Sequence, residues 1–279
     1  MTDPSCLIAH LQVDNQRVSV NLSNGIDLAI PMSFSGSDPS LYGTPNAEQR
    51  PFEADGIVGD TRLGGSCNVS IISFTPHCNG THTECVGHIT HERRHITDVL
   101  PTGLLPCTVV SVTPESILLA GESSTPTVIS DETMGITATS LENAWAASLS
   151  DWNTALVVRT LPNLERKRSN GYEASDIPFF TVEAVRLMRD RGVRHVLVDL
   201  PSLDRLHDNG EMAAHRTWWD MEPRSHETPG AADALRTITE LIFVPDDIKD
   251  GIGFISIQIP PFQSDAAPSR PIFYPLQSA

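Results

Sequence analysis

Basic residues are scarce in this chain. Lysine and arginine together number 19 against 35 aspartates and glutamates, so the formal net charge is −16. A phosphate backbone is gripped by an excess of cations, so this balance argues against a nucleic-acid partner. Long apolar runs are also missing. No window approaches the ~18 uninterrupted apolar residues of a membrane span. The N-terminal stretch MTDPSCLIAHLQVDNQ has neither a basic segment nor a long apolar one, which argues against a secretory leader. Cysteines are few, odd in number and irregularly spaced: Cys6, Cys67, Cys78, Cys85 and Cys107. They make no disulfide framework and fit a reducing cytoplasm. Charged residues at 19% and hydrophobic residues at 39% describe an ordered globular chain, and 279 residues are ample for a buried core.

Short apolar runs alternate with turn-rich connections. Strands are expected at RVSVNL (17–22), IDLAIPM (26–32), NVSIISF (68–74), TVVSV (108–112), ALVVRT (155–160), HVLVDL (195–200), IGFISIQI (252–259) and the late PIFYPL. Residues 33–56, rich in proline, glycine and serine, read as a surface loop. TVEAVRLMRDRG (181–192) has Thr181 as N-cap, an apolar stripe and a terminal glycine, and reads as a helix; a second helix is expected over 211–219. With no repeat and no linker, residues 1–279 read as a single strand-rich α/β domain with few helices.

Chemistry concentrates in HCNGTHTECVGHITHERRH, which runs from His77 to His95 and holds five of the chain's ten histidines. In an extended segment His82 and Glu84 face the same way, and Cys78 and His88 share that parity if Gly80 does not bulge the chain. An imidazole, a carboxylate and a thiolate converging on one point suit zinc or a similar divalent ion. The same parity turns His77 to the opposite face. The second half, His91-Glu92-Arg93-Arg94-His95, matches the HExxH pattern of zinc proteases. That motif works only on a helix, and here a glycine turn precedes it, Pro101 follows closely, and no apolar stripe supports one, so it reads as a charged surface turn.

The stretch Cys78-Asn79-Gly80-Thr81-His82-Thr83-Glu84-Cys85-Val86-Gly87-His88 resembles the His-x-Gly-Thr-His-x-Asp-x-Pro-x-His signature of the metal-dependent cyclase family, the bacterial kynurenine formamidase-like hydrolases. Cys78 stands for the first histidine, Glu84 for the aspartate and Val86 for the proline. GVRHVLVDLPSLDR, EMAAHRTWW, TELIF and IGFISIQIPPF resemble later family stretches, over roughly residues 26 to 275. The resemblance implies a swivelling β/β/α domain built on a mixed sheet. It implies a metal site of Cys78, His82, Glu84, His215 and Glu240, holding one or two divalent ions, zinc first and manganese as the alternative. It implies His88 as general base and acid, a role that suits an imidazole's ordinary pKa of ~6.5. The implied activity is hydrolysis of an arylformamide-like amide, or of a cyclic amide or lactone, in a small molecule. Formamidase chemistry of this kind would belong to tryptophan catabolism, carried out by a cytoplasmic homodimer or homotetramer. Beside His215, Trp218 and Trp219 could cap the pocket or pack the helix onto the sheet. Two other readings stay open: a zinc protease using HERRH, and a non-catalytic metal-binding member of the fold.

Overall fold

A computed structural model of the chain describes residues 6–13, 16–123, 132–145, 152–169 and 177–276. Its centre is a nine-stranded mixed sheet. In chain order the strands are β1 (Ile26–Asp27), β2 (His82–Glu84), β3 (Leu105–Val112), β4 (Ala155–Thr160), β5 (His195–Val198), β6 (Thr237–Glu240), β7 (Gly251–Gln258), β8 (Ala266–Pro268) and β9 (Arg270–Pro275). Across the sheet they lie in the order β8-β2-β6-β5-β4-β3-β7-β9-β1. The four central strands, β6, β5, β4 and β3, are parallel. Antiparallel strands extend the sheet at both edges.

Parallel strands covered on both faces carry near-continuous apolar runs. Strand β4 shows this, with all six residues of ALVVRT buried. Leu156 and Val158 face one core and Val157 the other. The first core lies under three helices: α1 (Ala138–Ala144), α2 (Val182–Asp190) and α3 (Ala213–Trp218). Helix α2 starts where the sequence places it. The Thr181 side chain accepts from the Ala184 N–H, and Ala184, Val185 and Met188 form the buried stripe. The strand-rich mixed sheet with few helices expected from the sequence is therefore present. Among the described residues no helix is long and apolar enough to cross a membrane.

Two expectations change. Of IDLAIPM only Ile26–Asp27 joins the sheet, with Ala29 adding one isolated bridge to Ile242. The Asp27 side chain accepts from the Ala29 N–H and turns the chain away. The stretch 33–56 is not all loop: 48–51 pairs with 70–73, and 53–54 with 57–58, in two small ribbons. All four residues of the 70–73 strand are exposed, so no apolar alternation marked its partner.

The parallel pair β5–β6 carries a pH-sensitive contact. His195 Nδ1 lies 2.9 Å from Thr237 Oγ1, and the ring is buried. Burial, reinforced by the charges of Arg194 and Arg236, lowers its pKa from 6.5 to about 4. The folded chain therefore refuses a proton that the unfolded chain accepts below pH 6.5. This contact leaves stability untouched above pH 6.5 and erodes it as pH falls towards 4, by about 3 kcal/mol in the limit. Urea midpoints measured from pH 7.5 down to 4.5 are expected to fall less steeply in a folded His195→Gln variant. Identical slopes in the two proteins would assign the acid sensitivity elsewhere.

Candidate metal centre

The site is built on a register. Strand β2 lies between β6 and β8, with His82 directly opposite Glu240 and Glu84 opposite Ile238. Side chains in a strand alternate faces, so His82 and Glu84 point forward while Thr83 points back and meets Thr239 Oγ1 at 2.8 Å. Just before β2, Gly80 has φ +137°, which an L side chain rarely adopts. That bend lets His82 Nδ1 reach the Gly80 carbonyl at 3.0 Å, and the Nδ1–H donates to it. Thr81 Oγ1 accepts from the Ile30 N–H at 2.8 Å and donates to the Leu241 carbonyl, tying the strand ends together. Glu240 closes β6 at the carboxyl end of the parallel strands, the place where open sheets of this kind put their sites. Its Oε1 accepts from the Leu203 N–H at 2.9 Å.

His215 arrives on α3. That helix is capped from a distance, because the Asp204 carboxylate accepts from the N–H groups of both Ala214 and His215. Asp204 Oδ2 also sits 2.5 Å from His215 Nδ1, which leaves Nε2 pointing at Glu84 Oε1, 3.0 Å away, and Glu240 Oε1, 3.7 Å away. His82 Nε2 lies 3.4 Å from Glu240 Oε2. His82, Glu84, His215 and Glu240, remote in sequence, thus converge.

Position 78 lies outside the extended stretch. Backbone N–H groups of Cys78 and Asn79 both donate to the Thr75 carbonyl, so residues 75–79 form a turn and strand parity does not reach Cys78. His77, expected on the opposite face, points into the site. Its Nδ1 is 2.8 Å from Glu84 Oε2 and its Nε2 is 2.8 Å from Asp265 Oδ2. Cys78 lines the same cavity, packed with Ile30, Leu41, Leu241 and Phe243. Burial pushes its thiol pKa up, the Glu240 charge adds to this, and a Thr44 hydrogen bond opposes it. His88 stacks on His77 with ring centroids 4.1 Å apart, its Nδ1 3.6 Å from Asp265 Oδ2 and its Nε2 3.9 Å from Glu84 Oε2.

The electrostatics are those of a cation site. Burial pushes the Glu84 carboxyl up, but the imidazoles of His88, His215 and His77 outweigh this and hold it well below the usual carboxylate range. Burial likewise disfavours charge on His77 and His215. Asp265 and Glu84 nevertheless raise His77 to about 10, and Asp204 and Glu84 hold His215 well above its ordinary value. Glu84 is thus ionised in the interior and offset by cations. Both Glu84 oxygens are buried against imidazole nitrogens, and His82 Nε2 is buried with no hydrogen-bond partner among the described residues. Two groups of donor atoms lie within 4.8 Å of one another: His77, Glu84 and His88, and His82, Glu84 and Glu240. Buried imidazole nitrogen and carboxylate oxygen converging in one spot suit a divalent ion.

A cavity of about 610 Å³ opens onto these residues. Its other walls include Tyr42 from the 33–56 stretch and Arg205, His207 and Met212 from the connection between β5 and α3. Trp218 and Trp219 are fully buried in the helix-side core and do not reach the cavity, so the packing reading holds. HERRH is not helical. His91 faces the His226 ring at 4.9 Å, Glu92 accepts from Thr228 Oγ1, and His95 only precedes a single helical turn. Its two histidines therefore share no helix face. Asp204 and Asp265 are the functional residues that sequence reasoning missed. Asp204 is the last residue but one of the quoted GVRHVLVDLPSLDR stretch, whereas Asp265 had no local signal.

A cyclase family model matches residues 20–205. No curated protein matches the sequence. Among solved structures, the chain is similar to an isatin hydrolase bound to the product analogue thioisatinate. That match has a TM-score of 0.61 at 13% identity and covers 91% of this chain and 93% of the other. Isatin hydrolase A from Ralstonia solanacearum gives 0.57 at 16% identity, covering 90% and 91%. A predicted metal-dependent hydrolase from Bacillus stearothermophilus gives 0.53 at 14% identity, covering 90% and 98%. At these identities the likeness is one of fold.

Proposed function

The chain belongs to this cyclase family, and on that footing we propose that it is a metal-dependent hydrolase. Its substrate is a small molecule with an arylformamide-like amide bond, or with a cyclic amide or lactone bond. The observation that carries the reading is the convergence in one buried spot of His82 Nε2, which has no hydrogen-bond partner among the described residues, with the carboxylates of Glu84 and Glu240 and with His215 Nε2.

His82, Glu84, His215 and Glu240 would hold the ion, zinc or manganese. When bound, such an ion polarises a carbonyl and brings the pKa of water towards ~7. His88 serves as the base. It lines the cavity, and its side chain is 27% exposed, so it can meet substrate where the buried residues cannot. Its Nε2 takes a proton from the attacking water as the new C–O bond forms, then returns it to the leaving nitrogen or oxygen as the old acyl bond breaks. Asp265, beside His88 Nδ1, holds the ring in place.

The test is turnover. Metal-loaded protein is expected to open isatin, an aromatic cyclic amide, or to deformylate an N-formyl aryl amine. Chelation should stop the reaction and added zinc or manganese should restore it. Metal-loaded protein that hydrolyses neither these compounds nor a panel of lactones, yet cleaves peptides, would overturn the proposal.

A further inference from the structure

The imidazole at position 77 is arranged as a ligand, and the thiol at position 78 is not. Resting on the hydrolase reading above, we infer that His77, oriented by Asp265, joins His82, Glu84, His215 and Glu240 in the donor set, so that metal is held by nitrogen and oxygen alone.

Three histidines here follow one pattern. A ligand imidazole is held in place by an acceptor on its far nitrogen. His82 has the Gly80 carbonyl on Nδ1 at 3.0 Å and presents Nε2 to Glu240. His215 has Asp204 on Nδ1 and presents Nε2 to Glu84 Oε1. His77 is the mirror case, with Asp265 on Nε2 at 2.8 Å and Nδ1 presented to Glu84 Oε2 at 2.8 Å. Asp265 is itself fixed. It precedes β8, which pairs with β2, and its carbonyl accepts from the Cys85 N–H at 2.9 Å.

Glu84 belongs to both groups of close donor atoms, one containing His77 and His88 and the other His82 and Glu240; in the first, His77 Nδ1 is 2.8 Å from Glu84 and His88 Nε2 3.9 Å. The pair defines two adjoining positions with Glu84 between them. His215 lies outside both groups but presents Nε2 to Glu84 Oε1 at 3.0 Å, whereas Cys78 lies outside both and packs among apolar side chains. The consequence is a choice of metal. A thiolate would favour zinc, whereas an imidazole and carboxylate set also accepts manganese.

Cobalt(II) alone is the probe, and its absorption spectrum is the readout. Cobalt-loaded wild-type protein is expected to show the visible bands of nitrogen and oxygen ligation and no near-ultraviolet thiolate charge-transfer band. Cys78→Ser should leave both spectrum and metal content unchanged. Asp265→Asn should weaken cobalt binding about 10–100-fold, the usual effect of losing a ligand's outer partner. His77→Ala should alter the spectrum and weaken binding at least as much. A thiolate band in wild-type protein that vanishes in Cys78→Ser overturns the inference. So does a folded His77→Ala with the wild-type spectrum, while a parallel His82→Ala that loses cobalt leaves the hydrolase reading standing. A protein that takes up no cobalt overturns both.

Discussion

Folded His82→Ala protein is expected to lose most of its metal and, with it, its hydrolytic activity. The imidazole is completely buried, its Nδ1 is committed to the Gly80 carbonyl, and its Nε2 has no hydrogen-bond partner among the described residues. Alanine leaves the strand intact, because the pairing of His82 with Glu240 and Pro268 uses backbone groups alone. The effect should exceed the about 10–100-fold in affinity that the loss of an outer partner costs, since a donor itself is removed. A second readout is thermal. A ligand that binds only the folded state at a hundred times its Kd stabilises by about 2.7 kcal/mol, and this metal-dependent rise in Tm should vanish in the variant. Elemental analysis and melting curves with and without metal check both points. Folded His82→Ala with wild-type metal content would remove the basis for the site.

His88→Asn is expected to keep its metal and to lose about 10²–10⁴-fold in kcat, the usual worth of a positioned acid–base group. The HERRH reading demands the opposite, with Glu92 activating the water. Glu92 is more than half exposed, hydrogen-bonded to Thr228 and paired with Arg94. Glu92→Gln should therefore leave kcat unchanged. Both variants would be checked for fold and metal content, then assayed on one substrate. An inactive Glu92→Gln beside a fully active His88→Asn would move the chemistry to HERRH.

The sequence was most legible where local and tertiary demands coincide. Strand β4 was readable because burial on both faces favours a continuous apolar run, here ALVV. Helix α2 was readable because its cap, its stripe and its closing Gly192, at φ +83°, all lie within one short stretch. The ribbon pairing 48–51 with 70–73 was not, since exposed strands carry no apolar alternation. In the site, His82 and Glu84 stood out through their spacing, while His215 and Glu240 came only through the family resemblance. Parity failed at position 78 because it holds only in extended chain, and the turn over 75–79 ends that regime. Asp265 could not be found at all, because the residue it orients lies 188 positions away.

The pairing of β2 with β6 also governs how the chain can be edited. Substitution within the three residues of β2 changes one side chain at a time. A deletion or insertion there would do something different in kind. With a period of two, a slip of one residue would send His82 and Glu84 to the rear and bring Thr83 forward, replacing two donors by one hydroxyl. The ribbons between 48 and 73 lie outside the nine-stranded sheet and are free of that constraint. Loop grafts, tags and length variants belong there, whereas in the stretch from Gly80 to Glu84 the number of residues matters as much as their identity.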